Sequence, residues 1–477
     1  NRKKAMLVAT IDKHVVDVSA LAGDLQSLTL DVEPESVLLT LQQQRGPDGE
    51  ERICLAIRPR AGAGATALVH DVRMCAHKCE AWDHPERPER TTETFAELGR
   101  EGLAAHCVSV PARLVTREEV QLVHEAAHWD RIEWTVTQEL AAIEAYAEQH
   151  ESLFLNRSSM HSARLAAGGV LELTEAVMRG RVRNGMALVR PPGHHAEMHT
   201  MMGFSIFNTV AIAAQHARAH LGARRVLIVD WDVHHGNGIQ HAFETDPSVL
   251  YFSVHRFEKG AFFPSTPDAA PCQIGKATGE GTTVNIGWNT RGHARPGDAE
   301  YAAAWSEVLL PVARAFAPDL VIVAAGFDAA EGDPLGMCHV TPEGYAHLTR
   351  ELMTIAGGKL VVALEGGYSL SATATSAAAC MGALLGLPPA TPPATKAGGG
   401  RAKGRGRGRG RARPPSRFAM MAAATNGFAA GAAPTADIDR GARKCLDETK
   451  AHLASHWPAL APSTALAPST ALAPSTA

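Results

Sequence analysis

The sequence predicts an α/β fold, with one large domain built on a mostly parallel sheet covered by helices. Three observations carry that expectation. Short runs rich in Val, Ile and Leu (MALVR, RVLIVD, SVLYFSV, DLVIVAAG, KLVVAL) recur between about Val69 and Leu387 without polar alternation, the mark of strands buried on both faces. Longer Ala-rich stretches with helical character separate them. Finally, the 477 residues are 45% hydrophobic and 20% charged, enough apolar material for a large core and too much for global disorder. No apolar run approaches the ~18 residues that span a bilayer, so a membrane span is excluded.

Taken in order, residues 1–65 mix short apolar runs (HVVDV, SVLLTL, ICLAI) with the turn-rich QQQRGPDGE, which suggests two or three strands of no assignable role. The α/β domain is expected over 66–390. Residues 391–439 shift to Gly, Arg, Pro and Ala, which bury too little apolar surface to offset chain entropy, and read as a disordered insertion. Within 440–460, ARKCLDETKAHLASHW is expected to form a helix with Leu446, Leu453 and Trp457 on one face, packing on the domain. Residues 461–477 repeat ALAPST and are low complexity.

The eight cysteines are scattered, and the one close pair, Cys75 and Cys79, has no companion pair, which argues against a disulfide framework or a zinc ribbon. The sequence opens without an initiator Met, so its start constrains localisation weakly. Residues 401–417, from Arg401 to Arg417, hold eight basic residues and no acidic one; removed from the net charge of −4, they leave −12. An acidic body attracts a basic polymer, and the Gly/Arg run attracts phosphate, so nucleic acid is a candidate partner of that run. The run lacks interleaved aromatics, and a flexible linker is its plainer reading.

The most specific chemical signal is VLIVDWDVHHGNG, residues 226–238. With 226–229 as a buried strand, Asp230, Asp232 and His234 follow at every second position and share one face while the chain stays extended. Asp and His at the carboxyl end of a parallel strand are placed to ligate a metal where α/β sheets keep their sites. In VRPPGHHAE, Pro191, Pro192 and Gly193 hold two adjacent imidazoles, His194 and His195, suited to general acid/base work near neutral pH. Two further strand ends bring Asp328, in AGFDAAEGDPLG, and Tyr368, in LEGGY, whose preceding Gly366 and Gly367 give the loop freedom. Alone, such an Asp is usually a helix cap and such a Tyr is usually packing. Together the four strand ends define a site. Asp232, His234 and Asp328 make a three-ligand zinc site with an open position, one of His194 and His195 is the base, and Tyr368 donates to an oxyanion. The reaction class is metal-assisted amide hydrolysis.

PPGHHAE, GFSIFN, DWDVHHGNG, AGFDAAEGDPLG and LEGGY, with HPERPER and YAAAW beside them, resemble the signature blocks of the zinc-dependent histone deacetylases, in the family's order over about 69–387. The resemblance is to the class II branch, nearest the type that deacetylates tubulin and histones and its plant relatives. It implies a single domain of the arginase and deacetylase type with an eight-stranded, mostly parallel sheet. It also implies that Asp232, His234 and Asp328 bind one Zn2+, that His195 is the general acid/base and His194 its charge-stabilising neighbour, and that Tyr368 stabilises the transition state. Asp230 and Asn237 match the partners that orient His194 and His195. Gly203 and Phe204, with Phe263, match the acyl-lysine channel, where two parallel rings suit an apolar stem. Asp230, Asp232, His234, Ser253 and Val254 match a structural K+ site. Ser205 and Ile239 depart from the Cys and Thr usual in relatives.

The substrate implied is N6-acetyl-lysine in proteins, histone tails or tubulin-like, with corepressor complexes as partners, a role in chromatin regulation and repression, and the nucleus or cytoplasm as location. A polyamine amidohydrolase is the first alternative. Relatives of that kind carry an acidic gatekeeper where this chain has Leu335, and Ser152 matches a serine that accepts from the substrate backbone N–H in the tubulin type. A non-catalytic repressor scaffold is the second alternative, and the retained Tyr368 and metal ligands speak against it.

Overall fold

A computed structural model describes residue 62, residues 64–389 except 294, residues 438–461, and the backbone of four strands between residues 6 and 59. Those four are β1 (Met6–Ile11), β2 (His14–Asp17), β3 (Val37–Arg45) and β4 (Glu51–Pro59), in the order β2-β1-β4-β3. Each apolar run read as a candidate strand is one, and Met6–Ile11 adds a fourth, paired antiparallel to β2 and parallel to β4. The Gly/Arg-rich stretch and the ALAPST repeats lie outside the described residues.

The remaining strands are β5 (Thr66–His70), β6 (Val108–Ser109), β7 (Asn184–Leu188), β8 (Val226–Asp230), β9 (Val249–Arg256), β10 (Thr283–Trp288), β11 (Leu320–Ala325) and β12 (Leu360–Leu364). They form one eight-stranded sheet, β10-β9-β8-β11-β12-β7-β5-β6, in which every pairing is parallel. Every residue of β7, β8, β11 and β12 is buried, which explains the missing polar alternation. Alternation survives in the choice of face. Leu227, Val229, Val321, Val323 and Val362 pack with the helices Pro342–Leu352 and Leu370–Leu384. Val226, Ile228, Leu320, Ile322 and Val361 pack on the opposite side with the helices Ser159–Met178 and Thr209–His220.

The helix Arg440–Leu453 starts at an Asp439 cap, whose Oδ1 accepts from Gly441 N at 2.7 Å. Leu446 and Leu453 are fully buried, and Thr449 Oγ1 donates to Asn285 O of β10 at 2.9 Å. Trp457 is not on its face. The residue precedes Pro458, which disfavours helical backbone, and lies extended instead, its Nε1 donating to Gly281 O at 2.8 Å.

The strand order positions the site. After β7 the chain leaves a gap, builds β8, β9 and β10 outward, and returns to fill it with β11 and β12. Four adjacent central strands, β8, β11, β12 and β7, therefore end side by side, and their outgoing loops carry the motifs.

Candidate metal and catalytic site

The strand β8 stops at Asp230, and the ligands that follow do not remain extended. Asp230 Oδ1 accepts from Asp232 N at 3.2 Å, and Asp232 Oδ1 accepts from His234 N at 2.9 Å. Asp carboxylates bonding the N–H two residues on turn the chain, so the three side chains converge through successive turns rather than through strand periodicity. Asp328 is no helix cap: its Oδ1 accepts from Val233 N at 2.8 Å, tying the β11 loop to the β8 loop.

Asp232, His234 and Asp328 each present a ligand atom within 4.8 Å of the others. His234 Nδ1 lies 3.0 Å from Asp232 Oδ1 and 3.0 Å from Asp328 Oδ2. Both carboxylates are fully buried, a cost that is recovered only when a cation is paired with them. The donor set suits zinc: two carboxylates and an imidazole, open on the fourth side. A Cβ on Gly366 would meet Asp328 Oδ2 at 2.4 Å and Asp232 Oδ2 at 2.5 Å. This glycine is required for close approach, beyond any freedom it lends the loop.

The two histidines from the β7 loop differ. Their rings lie 3.9 Å apart. His194 Nδ1 meets Asp230 Oδ2 at 3.1 Å, where Tyr251 Oη also donates at 3.0 Å. His195 Nδ1 meets Asn237 Oδ1 at 2.8 Å. Burial disfavours the charged form of His194, but the Asp232 and Asp230 charges overcome it and raise its pKa. Burial and the charges of His194 and His234 instead hold His195 well below the usual imidazole range. The two adjacent rings are thus shifted in opposite directions.

His195 and His234 line a pocket of about 340 Å³, together with Ser152, Gly203, Phe204, Phe263, Leu335 and Tyr368 among others. Phe204 and Phe263 lie outside the buried core, so they are pocket walls. Phe263 meets the His195 ring edge-on at 5.0 Å, and Phe204 meets Tyr368 edge-on at 5.9 Å. Gly203, at φ 54°, has no room for a Cβ, which would lie 2.4 Å from His195 Cδ2. Ser152 O accepts from Phe204 N at 2.8 Å. Ser253 pairs with Asp230 across β8 and β9, but its Oγ bonds His255 Nδ1 at 2.8 Å, and Val254 turns its side chain into the core.

Sequence reasoning missed the groups that hold these loops. Glu365 Oε2 accepts from Gly193 N at 2.6 Å and His194 N at 3.1 Å. Asp333 Oδ2 accepts from Tyr368 N at 2.7 Å, while its Oδ1 accepts from Leu335 N at 2.8 Å. Both residues stand inside quoted motifs, LEGGY and GDPLG, and their acidity there was the available signal. Glu86, Arg90 and Arg190 form a buried network beside them, with Arg190 Nη2 on Glu86 Oε2 at 2.6 Å and Arg90 Nε on Gly367 O at 2.6 Å.

A wholly parallel eight-stranded sheet with a buried Asp-His-Asp cluster and paired histidines at its carboxyl edge defines an α/β protein with a candidate metal site. Residues 84–384 match the histone deacetylase domain, and the chain belongs to that family, in its class II branch. It is 46% identical to histone deacetylase 15 of Arabidopsis thaliana over 330 residues, which cover 68% of this chain and 58% of that one. It is also 46% identical to the human polyamine deacetylase HDAC10 over 325 residues, 67% of this chain and 48% of the relative. The chain thus spans about half the length of the curated relatives it matches. The crystal structure of the HDA15 HD domain superposes with a TM-score of 0.67 at 37% identity, covering 83% of this chain and 97% of that one.

Proposed function

We propose that the chain is a zinc-dependent deacetylase that hydrolyses N6-acetyl-lysine in proteins and releases acetate. The observation that carries this reading is the convergence of Asp232, His234 and Asp328, with His234 opening into the pocket that His195 and Tyr368 also line. Zinc bound there would polarise the amide carbonyl and acidify a water. His195, neutral and held through Nδ1, takes the water's proton on Nε2 and returns it to the lysine amine. His194 stays cationic beside Asp230 and steadies negative charge. Tyr368 donates its hydroxyl to the oxygen of the tetrahedral carbon, while Phe204 and Phe263 keep water from the lysine stem.

Relatives named polyamine deacetylases supply the competing reading. Against it stands the pocket lining, which holds no carboxylate to meet a second ammonium group; Leu335 is apolar at the mouth. Paired turnover of an acetyl-lysine histone or tubulin peptide and of N8-acetylspermidine decides between them: preference for the peptide is expected, and faster hydrolysis of acetylspermidine than of any such peptide overturns the substrate assignment. A K+ ion beside Asp230, Ser253 and Val254, corepressor partners, a role in chromatin repression, nuclear or cytoplasmic location and nucleic-acid contact through residues 401–417 belong to the same proposal and rest on the family resemblance and the charge pattern.

A further inference from the structure

One carboxylate of the PPGHHAE motif has no part in the reading above. Glu197 Oε1 lies 2.6 Å from Asn237 Nδ2 and 2.9 Å from His241 Nδ1, and His241 Nε2 lies 3.5 Å from Asp268 Oδ2. Glu197 is itself anchored through its backbone. Its N donates to Thr200 O at 2.9 Å, and its O lies 2.9 Å from His124 Nδ1. His124 Nε2 accepts from Asn208 N at 2.9 Å, so the proton of that ring is on Nδ1 and is donated to Glu197 O.

What Glu197 holds matters because an amide side chain can face either way. With Oδ1 toward His195, Asn237 accepts, and His195 must carry its proton on Nδ1. With the amide turned over, Nδ2 would donate to Nδ1, the proton would move to Nε2, and the ring would present no lone pair to the pocket. A carboxylate offers no N–H, so it binds only the NH2 end of the amide. The other acceptors near Nδ2 are poorer, His195 O at 3.3 Å and Met202 Sδ at 3.4 Å.

We infer that Glu197 is a positioning residue for deacetylation: through Asn237 it fixes His195 in the tautomer whose Nε2 is free to take a proton, with His241 and Asp268 steadying the carboxylate. The inference rests on His195 being the base. Partners of this kind, one group removed from the reacting atoms, are worth about 10–100-fold. In the full chain, Glu197→Leu should lower kcat by about that factor with KM and zinc content within about twofold, and Glu197→Gln, which can present either its carbonyl or its N–H to Asn237, should fall between Leu and wild type. An Asp at 237 accepts from His195 whichever way it faces. Because an Asp at 237 would also lie against the Glu197 carboxylate, the cycle is run between two neutral residues at 197: with Asn237 the step from Gln to Leu should lower kcat, and in the Asn237→Asp background the same step should cost nothing further, a non-additivity that simple loss of packing does not give. A Glu197→Leu enzyme with kcat within twofold of wild type, equal losses for Leu and Gln, or additive losses in the double variant would overturn the inference. Should Glu197→Leu fold poorly, Glu197→Ala is read in the same cycle. His195→Ala is measured alongside: substantial activity there overturns the base assignment and this inference with it, whereas an inactive His195→Ala with an indifferent Glu197 overturns the inference alone.

Discussion

Glu86 and Asp328 are both carboxylates with no solvent exposure, and both stand beside the Tyr368 loop, yet their surroundings are opposite. Glu86 lies between two guanidinium groups, Arg190 at 2.6 Å and Arg90 at 3.2 Å. Burial would raise its pKa, but Arg190 and Arg90 overcome that and bring it to about 2. Asp328 faces the carboxylate of Asp232 and the imidazole of His234, and burial together with the Asp232 charge raises its pKa. The Glu86 network is neutralised within the protein, and Arg90 and Arg190 also donate to the backbone oxygens of Gly367, Glu365, Met74 and His77. In the Asp328 cluster two buried carboxylates share a single imidazole, His234 Nδ1 lying 3.0 Å from an oxygen of each. The first is a strut for the loops; the second is a candidate cation site.

The comparison breaks most decisively at Asp328. Asp328→Ala should abolish turnover of an acetyl-lysine peptide and reduce tightly held zinc from about one per chain to near none, by metal analysis of the purified protein. A metal-free preparation with full activity would remove the cation from the argument altogether.

Next in size is the strut. Glu86→Gln leaves Arg90 and Arg190 buried without their counter-charge, and breaking a buried pair in this way costs about 3–5 kcal/mol. The loss should show in denaturant unfolding, with zinc still bound by the folded fraction. The pH dependence has a definite sign. Because the folded pKa of Glu86 is depressed from 4.5 to about 2, its contribution is present above about pH 4.5 and disappears as pH falls toward 2. The stability gap between wild type and variant should therefore close across that window, and a gap that widens there would contradict the ion-pair account.

These two regions were unequally legible in the sequence. Each candidate metal ligand lies a few residues past a recognisable apolar strand, inside a contiguous motif, so the strand ends revealed them together. The strut joins Glu86 to Arg190 across 104 residues and Arg90 to Gly367 across 277, distances over which no local pattern carries information. HPERPER was visible as a motif, but its role depends on which loops the strand order brings together. That order was itself hidden, because β11 and β12 fill a gap left much earlier in the chain. Buriedness of the strands was readable from composition; Asp333 and Glu365, which hold loops through backbone N–H groups, became readable only once those loops were adjacent. The same limit applies to the turns at Asp230 and Asp232, where side-chain bonds to the backbone replaced the extended geometry that periodicity suggested.

Tyr368 stands between the two regions, with Arg90 5.2 Å from its ring centre and its backbone N on Asp333. Tyr368→Phe keeps the ring, the Arg90 contact and the ligands but removes one donor. Loss of such a donor typically costs ~10² to 10³ in turnover, about 3–4 kcal/mol. The variant should lose that much kcat while zinc content and thermal stability stay near wild type. If more than about a tenth of kcat remains with chemistry rate-limiting, Tyr368 belongs to the strut rather than to the reaction.

The smallest effect is expected at the pocket mouth, where Leu335 is 37% exposed and its backbone N is held by Asp333. Here the charge logic of the interior should weaken, because water screens any pair formed at the rim. Leu335→Glu places a carboxylate where a second ammonium group of an acetylated polyamine would arrive. An exposed pair contributes only about 0.2–1 kcal/mol, so the ratio of acetylspermidine to acetyl-peptide kcat/KM should rise by ~5-fold at most. The gain should shrink further in high salt, since exposed charges are screened beyond ~10 Å at 0.1 M. A much larger, salt-insensitive gain would mean that the mouth closes over its substrate and desolvates it, extending the buried-charge regime of Asp328 outward to the rim. No gain at all, with peptide turnover unchanged, would place the second ammonium elsewhere and detach Leu335 from specificity.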